Sequence, residues 1–522
     1  VSTMQAEPTL TGVLDALRPI AALRTEVVGE GDRSARTTAT DRAARDDYHQ
    51  WQHHVSTVNG CIRPIRLTGQ LHTIDTTTGE VLASRSTGTM PDGVLYIPCG
   101  NRRAEVCPAC AELYRADTFH MIKAGLVGGK GTPDTVAHHP AVFATFTAPS
   151  FGAVHSRAVD KKTGRVKPCR MRRSMTLCPH GRPTWCSQRH TEGSHAIGKP
   201  LCSECYDYAG HAVWNAFAPE LWRRTTQTMR RLASRLGKQH GVKLDISFGK
   251  VAEYQERGLV HFHAIIRLDQ RDPGNPDAIL PPPATLTAAH LDQLIAQAAA
   301  TTAFRTPPHP GSRFYPANPE GWTITWGTQL VNRPLARVDG ADITESMVAG
   351  YVAKYATKST ETTGFIARRI TPDTIARYAD YQTHIGTLIA HCWDIGANPH
   401  NRDTHPDEHD DWTNTYGKLR RWAHMLGFGG HFTTRSRRYG PTRKALKNIR
   451  RVHQRSQQLL RQSGHRTTEH LDEDTTLVIG ELAYAGTGWL TLGDAELAAS
   501  AAAKAREYRN TRKQEFALQQ TA

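Results

Sequence analysis

The hydrophobic positions fall into a few well-phased segments separated by polar and proline-rich breaks. From Val142 to Pro149 the residues alternate, with Thr145 and Thr147 on one face and Phe146 on the other, which predicts a strand ended by proline. Val260 to Ile266 alternates in the same way, with His261 and His263 on one face and Phe262 on the other. Between these two strands, Val213, Trp214, Phe217, Leu221, Trp222, Met229 and Leu232 recur at helical spacing and predict a helix over 212–236. A second helix is expected over 284–303, between proline-rich breaks at 272–283 and 306–321. A third, over 344–358, starts at a Thr cap and carries Met347, Val348, Tyr351 and Tyr355 along one stripe. The segment 494–522 reads as an Ala-rich helix with a charged tail. Residues 1–57 are polar, with one short helix over 10–23. Strands and helices intermix without the regular Gly-rich turns of a dinucleotide fold, so the expected class is α+β, an antiparallel sheet flanked by helices.

At 522 residues the chain exceeds what one core usually holds, and two or three structural units are expected. A mean hydropathy of -0.51 and 39% hydrophobic residues suit a folded, water-soluble protein. The most apolar stretch, near 477–492, includes Glu481, so no membrane span is expected, and no basic-then-apolar leader pattern opens the sequence. The expected location is the cytoplasm. The net charge of +16 favours a polyanionic partner. That charge is concentrated: 416–466 holds fourteen Lys and Arg and no acid, while the rest of the chain is nearly neutral. Within it Arg420, Arg421, Arg435, Arg437, Arg438, Arg443, Lys444, Lys447, Arg450 and Arg451 are candidate phosphate contacts. Tyr416, Trp422, Phe428, Phe432 and Tyr439 are interleaved with them, as on a strand-tracking surface. A solvated basic helix is the blander alternative.

Nine of the ten cysteines lie between 61 and 205. Cys107-Pro-Ala-Cys110 and Cys202-Ser-Glu-Cys205 are CxxC knuckles, and each has a further pair nearby to complete a tetrahedral thiolate site. These are Cys61 and Cys99 for the first, Cys178 and Cys186 for the second. Cys169, His180 and His190 are substitutes at the second. Two structural Zn²⁺ ions are the expectation, against buried or redox cysteines as the alternative.

His261 and His263, two apart on a strand, point the same way and can share one metal ion. Glu253 lies before the short Gln255-Glu-Arg-Gly258 turn and can reach the same face from the preceding strand. Taken alone, the histidine pair is equally two ordinary strand residues, and the Tyr351/Tyr355 stripe an aromatic core face. Together with Tyr351-Val-Ala-Lys354-Tyr355, where one helical face carries two phenols and an ammonium, the set makes a complete phosphoryl-transfer site.

The order Phe143-Ala-Thr-Phe-Thr-Ala-Pro149, then Glu253 with His261-Phe-His263, then Tyr351-Val-Ala-Lys-Tyr355 resembles the three motifs of HUH endonucleases. The closest likeness is to rolling-circle replication initiators of actinobacterial plasmids, and the paired tyrosines are similar to those of microvirus phage initiators. Cys99-Gly-Asn-Arg102, Cys178-Pro-His-Gly-Arg-Pro183, Pro200-Leu-Cys-Ser-Glu-Cys-Tyr-Asp-Tyr208 and Val251-Ala-Glu-Tyr-Gln255 extend the resemblance over about 61–358, and Gly427-Phe-Gly-Gly-His-Phe432 carries it further, less distinctly. The resemblance implies an initiator that nicks one strand at a plasmid origin. His261 and His263 would bind Mg²⁺ or Mn²⁺ with Glu253 as third ligand. Tyr351 would attack and become linked to the 5′ end, Lys354 would orient the phosphate or the metal, and Tyr355 would be secondary. Plasmid origin DNA, single-stranded and duplex, would be the partner, with a host helicase and polymerase after it.

The expected segmentation is a weakly ordered extension at 1–58 and an N-terminal zinc module at 59–138. An endonuclease domain at 139–360 follows, with a zinc module inserted at about 165–210, and then a basic, helical DNA-binding region at 361–522. One departure from the family is that about 100 residues separate the first and second motifs. A conjugative relaxase ranks below an initiator because relaxases commonly place the tyrosine before the histidines, and a transposase of the same superfamily would be shorter. A non-catalytic zinc-containing origin-binding protein is the alternative from another class.

Overall fold

The computed structural model describes residues 35–75, 77–160, 162–172, 174–335, 349–350, 368–398, 411–463 and 476–521. The chain divides into two compact units, one formed by 1–115 with 449–522 and the other by 116–448. The architecture is mixed, helices with antiparallel sheets, as the α+β expectation required. Among the described residues no helix is long and apolar enough to cross a membrane.

The unit formed by 116–448 is built on a five-stranded sheet. Its elements in chain order are β1 (Ala141–Phe146), α1 (Tyr208–Gln239), β2 (Leu244–Tyr254), β3 (Val260–Gln270), α2 (Ala288–Thr301), β4 (Val331–Pro334), α3 (His384–Ile395) and β5 (Thr433–Arg435). The strand order is β4–β1–β3–β2–β5 and every pair is antiparallel. The expected strands and the 212–236 and 284–303 helices are therefore present, with α1 four residues longer at its start because Asp207 caps it, accepting from the Gly210 N–H at 2.7 Å. Phe146, Phe262, Ala264 and Ile266 point from the sheet toward Trp214, Leu221 and Trp222 of α1 in one continuous core. Burying each large apolar side chain there stabilises the fold by about 1.5–3 kcal/mol relative to exposure. Alternation leaves the other face of β2 and β3 to Val251, Glu253, His261 and His263.

The unit formed by 1–115 and 449–522 joins the two ends of the chain. The apolar stretch near 477 is a strand, Thr476–Thr487, that returns to pair antiparallel with Ile65–Asp75 over eleven positions. It therefore lies in the same compact unit as Cys61, Cys99, Cys107 and Cys110. Within the expected 1–58 extension, Ala35–Ala43 and Tyr48–Thr57 are helices. Buried Arg42 joins the first of these helices to Asp92 and Asp494, with nitrogen–oxygen distances of 2.6 Å to each. Trp51, Tyr96 and Trp489 form the core below. The helix expected over 10–23 lies outside the described residues. The C-terminal helix is as expected, Leu492–Thr521.

Candidate active site

β2 and β3 are joined by the Gln255–Gly258 turn, and their register places Glu253 directly opposite His261, and Val251 opposite His263. One carboxylate oxygen, Oε2 of Glu253, lies 3.0 Å from Nε2 of His261 and 3.0 Å from Nε2 of His263. All three are well shielded, with side-chain exposures of 9%, 15% and 4% for Glu253, His261 and His263. Each 3.0 Å separation suits an imidazole N–H donating to the carboxylate. It is also the spacing of neighbouring donors around an octahedral ion with bonds of about 2.1 Å, whose edge is about 3.0 Å. The residues therefore fit a small divalent cation.

The second nitrogen of each ring is occupied elsewhere, which is what turns both Nε2 atoms inward. Thr145 Oγ1, on β1, lies 3.1 Å from Nδ1 of His263, and the Gln255 amide lies 3.4 Å from Nδ1 of His261. Phe143 stacks on the His263 ring. The turn between the strands is pinned from below by Asn215 of α1, which is fully buried. Its amide donates to the carbonyls of Gly258 and Leu426 at 3.0 Å each, and its carbonyl accepts from the Val260 N–H at 3.1 Å. Gly258 has φ +80°, and a Cβ there would meet Leu426 at 2.7 Å. Neither Asn215 nor Thr145 was singled out for the site from sequence. The inward face of the Thr145 strand was the only local hint.

On the opposite face of β2, Lys250 is buried with its ammonium 3.9 Å from the Phe262 ring centroid. Burial pushes it from its ordinary value of 10.5 down to about 7. It belongs to the core side of the sheet and not to the cluster. Tyr351, Lys354 and Tyr355 lie outside the described residues.

Among the described residues, three cysteine-containing clusters accompany the triad. Cys61, Cys99, Cys107 and Cys110 come together as expected, with Sγ–Sγ distances of 3.6 Å for Cys99–Cys110 and 3.7 Å for Cys61–Cys107. A tetrahedron with metal–sulfur bonds of about 2.3 Å has edges of about 3.8 Å, so four thiolates fit. Cys107 immediately precedes the helix Pro108–Val127, and the Cys99 N–H donates to the Cys61 sulfur at 3.4 Å. Hydrogen bonding from Cys110, Cys61 and Cys99 lowers the Cys107 thiol, while its hydrogen bonds raise those of Cys61 and Cys110.

At the second knuckle the structure gathers three of the four expected cysteines with His180, one of the substitutes. Cys178, Cys202 and Cys205 are joined by His180, whose Nδ1 lies 3.2 Å from the Cys205 sulfur and 3.8 Å from that of Cys202. Cys178 opens a knuckle in which the Arg182 N–H donates to its sulfur at 3.4 Å. Against desolvation, hydrogen bonds from the Arg182 and His180 backbone and from Cys202 and Cys205 lower its thiol to about 7. Cys186 is drawn away because Arg170 and Cys186 exchange two backbone hydrogen bonds, of 2.8 and 3.0 Å, which set it beside Cys169. Cys169, Cys186, His155 and His190 form a cluster of their own.

Residues 47–503 match the family described as "Replication initiator protein, pSAM2" (RepSA). A "Replication initiator protein" of Streptomyces ambofaciens is 39% identical over 476 residues, covering 90% of this chain and 93% of that one. The chain belongs to the RepSA family of replication initiator proteins. No solved structure matches it. The RepSA match includes the Glu253–His261–His263 triad, all three cysteine clusters and Tyr351, Lys354 and Tyr355.

The basic stretch of this RepSA chain is not a single surface. Tyr416, Phe428, Phe432 and Tyr439 are buried in the core, so those rings are not available to stack on bases. Arg438 is ion-paired with Asp245 at 2.8 Å and only 14% exposed. Arg420 donates to the Trp393 carbonyl, Arg443 to the Thr118 hydroxyl, and Arg435 to the Ser436 carbonyl. Arg450 is half-buried. Arg421, Arg437, Lys444, Lys447 and Arg451 are exposed, with Arg437 meeting Asp277 at 3.0 Å.

Proposed function

We propose that this chain initiates rolling-circle replication of a plasmid as an HUH-type endonuclease, nicking one strand of the origin through a phosphotyrosine intermediate. The observation that carries the reading is the convergence of Glu253, His261 and His263 at 3.0 Å on one sheet face, in a chain of the replication initiator family. Glu253, His261 and His263 would hold Mg²⁺ or Mn²⁺. Such an ion, when bound, supplies Lewis-acid polarisation of the scissile phosphate.

Thr145 and Gln255 hold the two imidazoles in the ring orientation that presents Nε2. Tyr351 forms a bond from its phenol oxygen to phosphorus as the bond to the 3′-oxygen breaks. The phenol proton passes to solvent, and the departing oxygen takes one up to become the 3′-OH primer. Lys354, three residues after Tyr351, neutralises the phosphate. Tyr355 is the second acceptor, for rejoining or termination. Cys61, Cys99, Cys107 and Cys110 would hold one structural Zn²⁺, and Cys178, His180, Cys202 and Cys205 another. The exposed Arg421, Arg437, Lys444, Lys447 and Arg451 contact phosphates of origin DNA, and the 3′-OH passes to a host helicase and polymerase.

The test is cleavage of a labelled single strand carrying the origin. Nicking should require Mg²⁺ or Mn²⁺ and vanish in His261→Ala/His263→Ala while duplex binding persists. Tyr351→Phe should lose the covalent DNA–protein adduct, whereas Tyr355→Phe should retain the first nick. Undiminished nicking by the double histidine variant, or an adduct mapped to Tyr355, would refute these assignments.

A further inference from the structure

We propose that His155, Cys169, Cys186 and His190 form a third structural metal site, of the zinc type, that clamps the 153–200 loop onto the turn joining the strands of Glu253, His261 and His263. The four donors come from three separated stretches of chain. The Cys169 sulfur lies 3.8 Å from Nδ1 of His155, the Cys186 sulfur 3.7 Å from Nε2 of His190, and the two imidazole nitrogens 3.2 Å apart. With zinc bonds of about 2.3 Å to sulfur and 2.0–2.1 Å to nitrogen, tetrahedral edges are about 3.3 Å between nitrogens and about 3.6 Å between nitrogen and sulfur. The cluster matches both.

The arrangement is built and not accidental. His190 and Cys186 are buried, at 5% and 8% exposure. The Ser156 N–H donates to the Cys169 sulfur at 3.2 Å, the kind of contact that accompanies a ligating thiolate. Cys169 and Cys186 are aligned by the reciprocal backbone bonds between Arg170 and Cys186 and by the Cys169 N–H bond to the Gln188 carbonyl at 2.8 Å. Two thiolates and two neutral imidazoles leave no open position, so the site is structural.

Its reach to the triad runs through His155. The His155 N–H donates to the Lys199 carbonyl at 2.8 Å, and the Gly198 N–H donates to the His155 carbonyl at 2.9 Å. Gly198, at φ +85°, presses on the turn so closely that a Cβ would fall 2.6 Å from the Glu256 carbonyl carbon and 2.7 Å from the Arg257 nitrogen. Arg257 donates to the Gln255 side chain at 2.9 Å, and Gln255 meets His261 Nδ1. An ion on His155 therefore fixes the segment that holds the turn, and the turn positions Gln255 and His261. This role rests on the proposed catalytic reading of the triad; the metal site itself does not.

Zinc would be counted by elemental analysis of the full chain, and Mn²⁺ affinity read by electron paramagnetic resonance titration. Cys169→Ser/Cys186→Ser should carry one zinc fewer than wild type and bind Mn²⁺ about tenfold more weakly, at the low end for outer-shell partners. Equal zinc content in the variant and wild type would overturn the site. Equal Mn²⁺ affinity with one zinc lost would overturn the clamp. Half-buried Cys169 supplies a check on the wild-type chain that needs no variant. It should resist alkylation, mapped by mass spectrometry, until a chelator is added, and ready modification in the zinc-loaded chain would overturn the site. If wild type bound no Mn²⁺ at all, the catalytic reading and with it the clamp would fail, while the zinc count and Cys169 protection would still decide the third site.

Discussion

Replacing Asn215 with alanine removes the post on which the hairpin carrying Glu253, His261 and His263 rests. Asn215 is fully buried and satisfies three backbone groups, the Val260 N–H and the carbonyls of Gly258 and Leu426. Asn215 sits one helical turn beyond His211 with its amide directed at the β2–β3 junction. Leaving each buried group without its partner costs about 1–3 kcal/mol, so three at the lower figure give about 3 kcal/mol locally. At about 1.4 kcal/mol per decade, amide protection in the turn should fall by about 100-fold. Hydrogen exchange followed by mass spectrometry on peptides covering 255–263 reads this directly and needs no two-state unfolding of a two-unit chain. Peptides from α2 should change much less. Mn²⁺ affinity should drop in parallel, since His261 and Glu253 flank the loosened turn. Protection within about threefold of wild type would mean that strand pairing alone holds the hairpin, and the argument from Asn215 would be wrong.

Lys250 makes a pH prediction. Its value is depressed in the folded chain from 10.5 to about 7, so between those limits the unfolded chain binds the extra proton and stability rises with pH. Lys250→Met should therefore be more stable near pH 7 and show a flatter rise toward pH 9.5 in thermal midpoint; a variant that tracks wild type across that range contradicts the burial argument. Arg438→Ala should lower the thermal midpoint through loss of its Asp245 pairing while leaving the salt dependence of DNA binding unchanged. Lys444→Ala/Lys447→Ala should instead reduce the slope of log affinity against log salt by about 2, near 1 per phosphate contact, and an unchanged slope would remove these lysines from the interface. Cys107→Ser should lose one zinc and deprotect peptides containing Trp51 and Trp489, since the Trp489 indole donates to the Cys61 carbonyl at 3.0 Å. Retained zinc would count against the four-cysteine site.

Alternation and short turns are local properties, and what they govern was readable along the chain. The His261/His263 face, Glu253 opposite it across a four-residue turn, the α1 core stripe and the Cys107–Cys110 knuckle all follow from residues a few positions apart. Partnership between distant segments is another matter. Cys186 follows Cys178 by eight residues, yet the backbone pairing of Arg170 with Cys186 gives it to Cys169, and His180 takes the vacated corner of the other site. The Thr476–Thr487 strand finds its partner at Ile65–Asp75, four hundred residues upstream. The basic stretch looked like one interface because charge is countable in sequence. Only packing decided that Tyr416, Phe428, Phe432 and Tyr439 enter the core and that Arg438 is held by Asp245. Residue spacing sets which face a side chain takes. Which groups that face meets depends on long-range backbone pairing and on the burial that apolar rings gain, and both arise only when the chain closes on itself.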